Sequence, residues 1–184
     1  MKLLPESPVE FLESLSRPPD TVYVTEVTGT FGTAVMAGTS KGLLSLRVDI
    51  PLSHFTENIK SNWGSDVKYD NSPFDSVRES VRGYLDGNSA PLKAIVQPVM
   101  LTPFTVNLHN YLSRIPFGET CTYGEIAALM GKPGAARAVG GACGRNSVLI
   151  VVPCHRVVAS NGYGGFGAEL DLKKRLLEFE NIML

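Results

Sequence analysis

The sequence predicts an α+β fold, with strands concentrated before residue 98 and helices after it. Three observations carry that expectation. Leu44, Leu46, Val48 and Ile50 alternate with Ser45, Arg47 and Asp49, the two-residue period of a half-buried strand. Phe104, Leu108, Leu112 and Ile115 recur at helical spacing behind Thr102-Pro103, a helix start that Pro116-Phe117-Gly118 stops. Thr122 and Glu125 form a T-x-x-E capping box at the head of a short helix with Ile126, Ala127 and Met130 inward. The chain of 184 residues divides into a small α+β unit, 1–98, and a helical unit, 99–184.

In order along the chain, 21–27 and 33–37 read as strands joined by Gly-containing turns at Thr28-Gly29-Thr30 and Thr39-Ser40-Lys41-Gly42. Phe55, Ile59 and Trp63 mark a short helix. A second starts at Ser72 as N-cap, carries Phe74, Val77, Val81 and Leu85 on one face, and ends at Gly87. The stretch 87–98, with Pro91 and Pro98, reads as a connecting segment. After the capping box, Gly131-Lys132-Pro133 turns into a helix from Gly134 to about Ala142, the pattern of a helix-turn-helix. Finally, 148–152 is an apolar, β-branched run expected to bury itself as a strand, with Pro153 ending it.

The helix after Gly134 is nearly bare: Ala135, Ala136, Ala138, Gly140, Gly141 and Ala142 surround Arg137 and Val139. Adjacent glycines cost a helix about 1 kcal/mol each relative to alanine, so close approach of something must offset the loss. Either a neighbouring helix packs there, or a nucleic-acid backbone does, with one arginine projecting.

Hydrophobic content of 43% with 19% charged residues describes an ordinary globular chain. The net charge of −1 argues against a generic polyanion binder, yet the charge is uneven. Lys and Arg number 9 against 12 Asp and Glu before residue 99, and 8 against 6 after it. No apolar run approaches the ~20 residues of a membrane helix, and the first residues lack the apolar core of a secretory signal. Cys121, Cys143 and Cys154 are odd in number and lack CxxC spacing, which argues against a disulfide scaffold or a zinc cage. A reducing, cytoplasmic compartment fits, with no cofactor, no metal and no membrane partner expected.

The most informative chemistry is Pro153-Cys154-His155-Arg156-Val157. A thiol held against dry packing beside a proton acceptor can serve as a nucleophile, since the thiolate is the reactive form. Adjacent side chains point apart, so the pair would need a bridging water. A buried cysteine beside a half-buried histidine, with no chemistry, is the bland alternative. His54 and His109 offer no metal-ligand spacing.

Four blocks then resemble the O6-alkylguanine-DNA alkyltransferase family. They are Thr122-Tyr123-Gly124-Glu125-Ile126-Ala127-Ala128-Leu129, Ala135-Ala136-Arg137-Ala138-Val139-Gly140-Gly141-Ala142, Asn146, and Pro153-Cys154-His155-Arg156-Val157-Val158. The likeness runs from about Phe104 to Glu180 and is only general before that. It implies a ribonuclease-H-like small domain with an antiparallel sheet, then a winged-helix-like domain with a helix-turn-helix. It also implies irreversible transfer of an alkyl group from O6 of guanine, with O4-alkylthymine as a second candidate substrate, to Cys154, once per molecule. His155 would take the thiol proton through water, oriented by Glu180, with Glu178 the near rival. Tyr123 would assist the departing guanine and Asn146 would act as hinge. Arg137 would fill the gap left by a flipped nucleotide while Ala138 and Gly140 lie along the DNA minor groove. Thr105 and Ser160 match phosphate contacts. Val157 and Gly167 match groups reading guanine, and Lys173 a lysine beneath the cysteine. The implied partner is duplex DNA with alkylated bases, met by a monomer in the cytoplasm, or in the nucleus of a eukaryote.

The chain also departs from that pattern. Ala168-Glu169 stands where a glycine pair is common, and Phe166 where a tyrosine is. The cysteine and histidine set of zinc-binding members is missing from the first half. Three rivals remain at this point: a lesion-binding protein without reaction, which would lack Cys154; a helix-turn-helix regulator with a structural cysteine; and a cysteine hydrolase with many turnovers.

Overall fold

The computed structural model describes residues 3–165 and 170–183. β1 (Val9–Phe11) precedes an antiparallel meander of β2 (Thr21–Thr28), β3 (Thr33–Thr39) and β4 (Gly42–Val48). α1 (Leu52–Trp63) then leads to β5 (Asp66–Tyr69), which pairs parallel with β2. α2 (Asp75–Leu85) leads to β6 (Ala94–Val96), parallel to both β1 and β4. The strand order is β1-β6-β4-β3-β2-β5. The sheet is therefore mixed, not antiparallel as the family resemblance implied. Hairpin turns give the central meander its direction, whereas the longer connections bring the outer strands back in parallel.

Alternation along β3 assigns the two faces. Val35 and Ala37 pack towards Phe55 and Ile59 of α1, while Ala34 and Met36 enter the main core. An irregularity opposite Ala37 and Gly38 leaves Leu44 out of register. Leu44 therefore joins the α1 side although Leu46 and Val48, at the same spacing, join the main core.

Three local expectations need correction. Ser72 is not an N-cap: it lies in a 3-10 turn, Ser72–Phe74, and its N–H donates to Asp70 Oδ1 at 2.9 Å. The connecting stretch 87–98 contains β6. The apolar run 148–152 is not a strand but a chain of turns, with Ile150 at φ 60° and one bridge from Val148 to Leu46. Its β-branched residues are buried on all sides, which an apolar run alone cannot tell from a strand.

Apart from 148–152, the helices of the second half lie near where the sequence places them. α3 (Pro103–Leu112) is capped by Thr102, whose hydroxyl accepts from the Thr105 N–H. β7 (Cys121–Thr122) runs into α4 (Tyr123–Leu129), where both bonds of the Thr122–Glu125 capping box form. α5 (Ala136–Cys143) begins two residues after Gly134. β8 (Val157–Val158) pairs in parallel with β7, and α6 (Leu170–Phe179) follows. One continuous core holds Met36, Leu46 and Leu85 together with Leu108, Ile126, Val139 and Leu176. Among the described residues no helix is long and apolar enough to cross a membrane.

Candidate active site

Cys154, His155 and Arg156 form a single 3-10 turn between Pro153 and β8. The turn is fixed from two sides. β8 lies in register with β7, Cys121 beside Val157 and Thr122 beside Val158, which brings the head of α4 and Tyr123 to the same place. On the other side the segment entering the turn is tied to β4. Leu46 N–H donates to Ser147 O at 2.8 Å, Leu149 N–H to Leu46 O at 3.0 Å, and Arg47 Nη1 to Asn146 O at 2.8 Å. The Leu46 main chain and the Arg47 side chain of β4 thus serve as a clamp.

Cys154 is 2% exposed. Asn146 reaches it from the end of α5: Nδ2 donates to Sγ at 3.1 Å and to Val152 O at 2.7 Å, while Oδ1 accepts from Val148 N–H at 2.9 Å. Burial pushes the Cys154 thiol up to about 11, against the opposing pull of Asn146, Lys173 and Arg47. Near neutral pH the resting thiol is therefore protonated, and nucleophilic work would need a proton acceptor nearby.

Next in the chain is His155, whose neighbour is a carboxylate. His155 Nε2 lies 2.8 Å from Glu180 Oε1, both residues 1% exposed. Glu180 sits just past the end of α6 and gathers donors from three other parts of the chain. Arg156 donates Nε to Oε2 at 2.8 Å and Nη2 to Oε1 at 2.9 Å. Tyr84, on α2, donates its hydroxyl to Oε1 at 2.7 Å, and Gly118 its N–H to Oε2 at 3.2 Å. Burial alone would raise the Glu180 carboxyl, but His155 and Arg156 hold it well below the usual carboxylate range. Burial lowers His155, outweighing the upward pull of Glu180. The resting arrangement is thus an ionised Glu180 paired with Arg156, and a neutral His155 donating Nε2–H to it. Nδ1 is then left as a lone-pair acceptor.

Lys173 on α6 is fully buried, with Nζ donating to Val157 O at 2.6 Å and standing 5.8 Å from the Tyr123 ring centre. Burial brings its ammonium down to about 8, opposed by the two neighbouring thiols. Tyr123 donates its hydroxyl to Gly165 O at 2.9 Å, and burial pushes that hydroxyl up to about 12, so it remains a proton donor. Gly164, at φ 71°, is required here: a Cβ would fall 2.8 Å from the Tyr123 ring.

A cavity of about 420 Å³ opens beside these groups, lined by Tyr123, Arg137, Gly140, Cys143 and Gly165. Among the described residues Cys143, not Cys154, contributes the thiol on its wall. Arg137 and Ala138 are exposed, as is Ser160 in the turn after β8. The bareness of α5 is not demanded from inside. A Cβ on Gly140 would meet Tyr123 at 3.7 Å, and one on Gly141 would meet only the Arg145 guanidinium at 3.7 Å, both ordinary contacts.

The structure gathers Cys154, His155, Glu180, Asn146, Tyr123 and Lys173, and it excludes Glu178 from the Glu180 bonding set. Two residues expected to make contacts are already engaged within the protein. Thr105 is 2% exposed with its hydroxyl 3.0 Å from Thr102 Oγ1, so its side chain is spent on the helix cap. The Val157 N–H donates to Cys154 O, leaving only its carbonyl, already held by Lys173. Gly167, Phe166, Ala168 and Glu169 lie outside the described residues. Sequence reasoning missed Tyr84 and the bracing role of Arg156. A tyrosine beside Val81 and Leu85 reads as core, and nothing local signals a partner almost a hundred residues away. Among the described residues no group of three His, Cys, Asp or Glu could hold a metal ion.

Comparison with known proteins finds relatives along most of the chain and a family model for its second half. The 6-O-methylguanine DNA methyltransferase DNA-binding domain family matches residues 103–182. A methylated-DNA–protein-cysteine methyltransferase of Methanosarcina barkeri is 34% identical over 167 residues, 86% of this chain and 97% of that protein. Its namesake from Mycobacterium bovis is 33% identical over 160 residues, covering 86% and 92%. The crystal structure of Mycobacterium tuberculosis OGT in complex with DNA superposes with a TM-score of 0.71 at 32% identity, over 86% of this chain and 92% of that one. The chain belongs to the methylated-DNA–protein-cysteine methyltransferase family.

Proposed function

We propose that the protein repairs DNA by transferring an alkyl group from O6 of guanine to Cys154, irreversibly and once per molecule. The observation that carries this reading is the buried pairing of His155 with Glu180 beside a thiol held by Asn146. In the reaction the Cys154 proton passes through a water to His155 Nδ1. The sulfur electron pair then forms a bond to the alkyl carbon as the carbon–O6 bond breaks. The departing guanine takes a proton, with the Tyr123 hydroxyl as donor, and the resulting thioether has no easy route back. O4-alkylthymine offers the same kind of activated carbon.

Residues 1–98, read as a ribonuclease-H-like unit, scaffold the site. Residues 99–184 carry α4 and α5 as the helix-turn-helix of a winged-helix-like unit. The bare, exposed face of α5 supports approach to the minor groove of duplex DNA, with Arg137 entering the stack where the damaged base leaves and Ser160 at a phosphate. Lys173 and the Val157 carbonyl support the substrate pocket. We read the protein as a monomer that acts wherever the cell keeps its DNA, in the nucleoid-bearing cytoplasm or the nucleus.

The test is intact-protein and peptide mass spectrometry after incubation with duplex DNA containing O6-methylguanine. One methyl group on the Cys154 peptide, with product equal to protein, is expected. No mass change, or many turnovers per molecule, overturns the reading.

A further inference from the structure

We infer that Tyr84, supplied by the N-terminal half, is a positioning residue that keeps His155 in its neutral, proton-accepting form by drawing on the same carboxylate oxygen. The inference rests on the alkyl-transfer reading for its consequence, but its geometry stands alone. Glu180 Oε1 receives three donors: the Tyr84 hydroxyl at 2.7 Å, His155 Nε2 at 2.8 Å and Arg156 Nη2 at 2.9 Å. Donors that share one oxygen divide its negative charge between them. The more Tyr84 and Arg156 take, the less remains to stabilise an imidazolium at His155. A neutral hydroxyl can therefore tune the base without touching substrate.

The other charged and titratable groups around His155 are accounted for. Arg156, next in sequence, and Lys173, on α6, both oppose a positive imidazole, while Glu180 alone favours one. Burial first, and the Glu180 carboxylate second, push the hydroxyl of Tyr84 on α2 well above its ordinary value, so it donates throughout the working range. The Tyr84 oxygen is also 3.5 Å from His155 Nε2, too long to rival the bond to Glu180. Ring packing places the hydroxyl: Phe117 and Phe179 contact the Tyr84 ring edge-on at 5.9 Å each.

Tyr84→Phe keeps the ring and removes only the oxygen. With Oε1 less shared, imidazolium gains, so the titration midpoint of His155 should rise by about half to one pH unit. The acid limb of the alkyl-transfer rate should move up with it, giving a several-fold slower transfer near that limb, while duplex binding is unchanged. The probes are imidazole nitrogen NMR of His155 across pH and single-turnover transfer from O6-methylguanine DNA. A fall in melting temperature with the His155 midpoint unmoved would show Tyr84 to be structural only and overturn the inference. Should Tyr84→Phe not fold, 3-fluorotyrosine placed at position 84 alone makes that hydroxyl a stronger donor, and the midpoint should then move down; no movement again overturns it. If the parent protein transfers no methyl to Cys154, the alkyl-transfer reading falls, and the NMR titration still decides the role of Tyr84.

Discussion

His109 is the residue least at ease in this fold. It lies on α3, fully buried, with neither ring nitrogen paired among the described residues and the ring of Phe11 6.4 Å away. Burial drives it down from 6.5 to about 4. As pH falls below 6.5 the unfolded chain binds a proton that the folded chain refuses, so stability declines until about pH 4 and then levels. The loss from this one group is at most about 3 kcal/mol. His155 is depressed too and acts in the same window, whereas the carboxylates act below it. His109→Leu should therefore flatten the decline without abolishing it. Urea denaturation of both proteins at pH 7 and pH 4.5 checks this, and equal losses in the two would exonerate His109. At this scale Cys154 and His155 could be singled out from a short motif, whereas Glu180 came only through the family resemblance, with Glu178 beside it as a rival. Tyr84 was not legible, since its partner is reached only through the fold.

Among the elements, α5 separates stability from function. Gly141 is exposed, and a methyl group there would touch only the flexible end of Arg145. Gly141→Ala should stabilise the helix by up to about 1 kcal/mol, raising the melting temperature by a few degrees. If the bare face exists to let a sugar-phosphate backbone come close, the same change should weaken duplex binding several-fold. Thermal melts and fluorescence anisotropy on one protein preparation measure both, and undiminished binding would refute that purpose for the face. Helix starts such as Thr102-Pro103 and Thr122–Glu125 were readable because capping is local chemistry. The run 148–152 was misread because its burial comes from β4 and the main core at once, which no window of sequence contains. Likewise the irregularity that turns Leu44 to α1 depends on how β3 and β4 register, not on their alternation.

For the whole molecule, the boundary near residue 98 is one of topology rather than of packing. A single core joins the sheet to α3, α4 and α6, and β4 shares main-chain bonds with the segment entering the reactive turn. Heating should accordingly produce one calorimetric transition whose enthalpy equals the van't Hoff value. Two resolved transitions would show that the halves melt separately. The same continuity explains why the first half, general in its resemblance, could not be read for function: it contributes Arg47 and Tyr84, each a single side chain set in ordinary strand and helix sequence.

Glu180 accepts from Tyr84, His155, Gly118 and twice from Arg156, and those donors come from three separate stretches of chain. A keystone of that kind cannot pick up hydrogen without evicting a neighbour, so strong acid should crack this protein from its middle outward, and the chemistry should fail before the surface shows any damage.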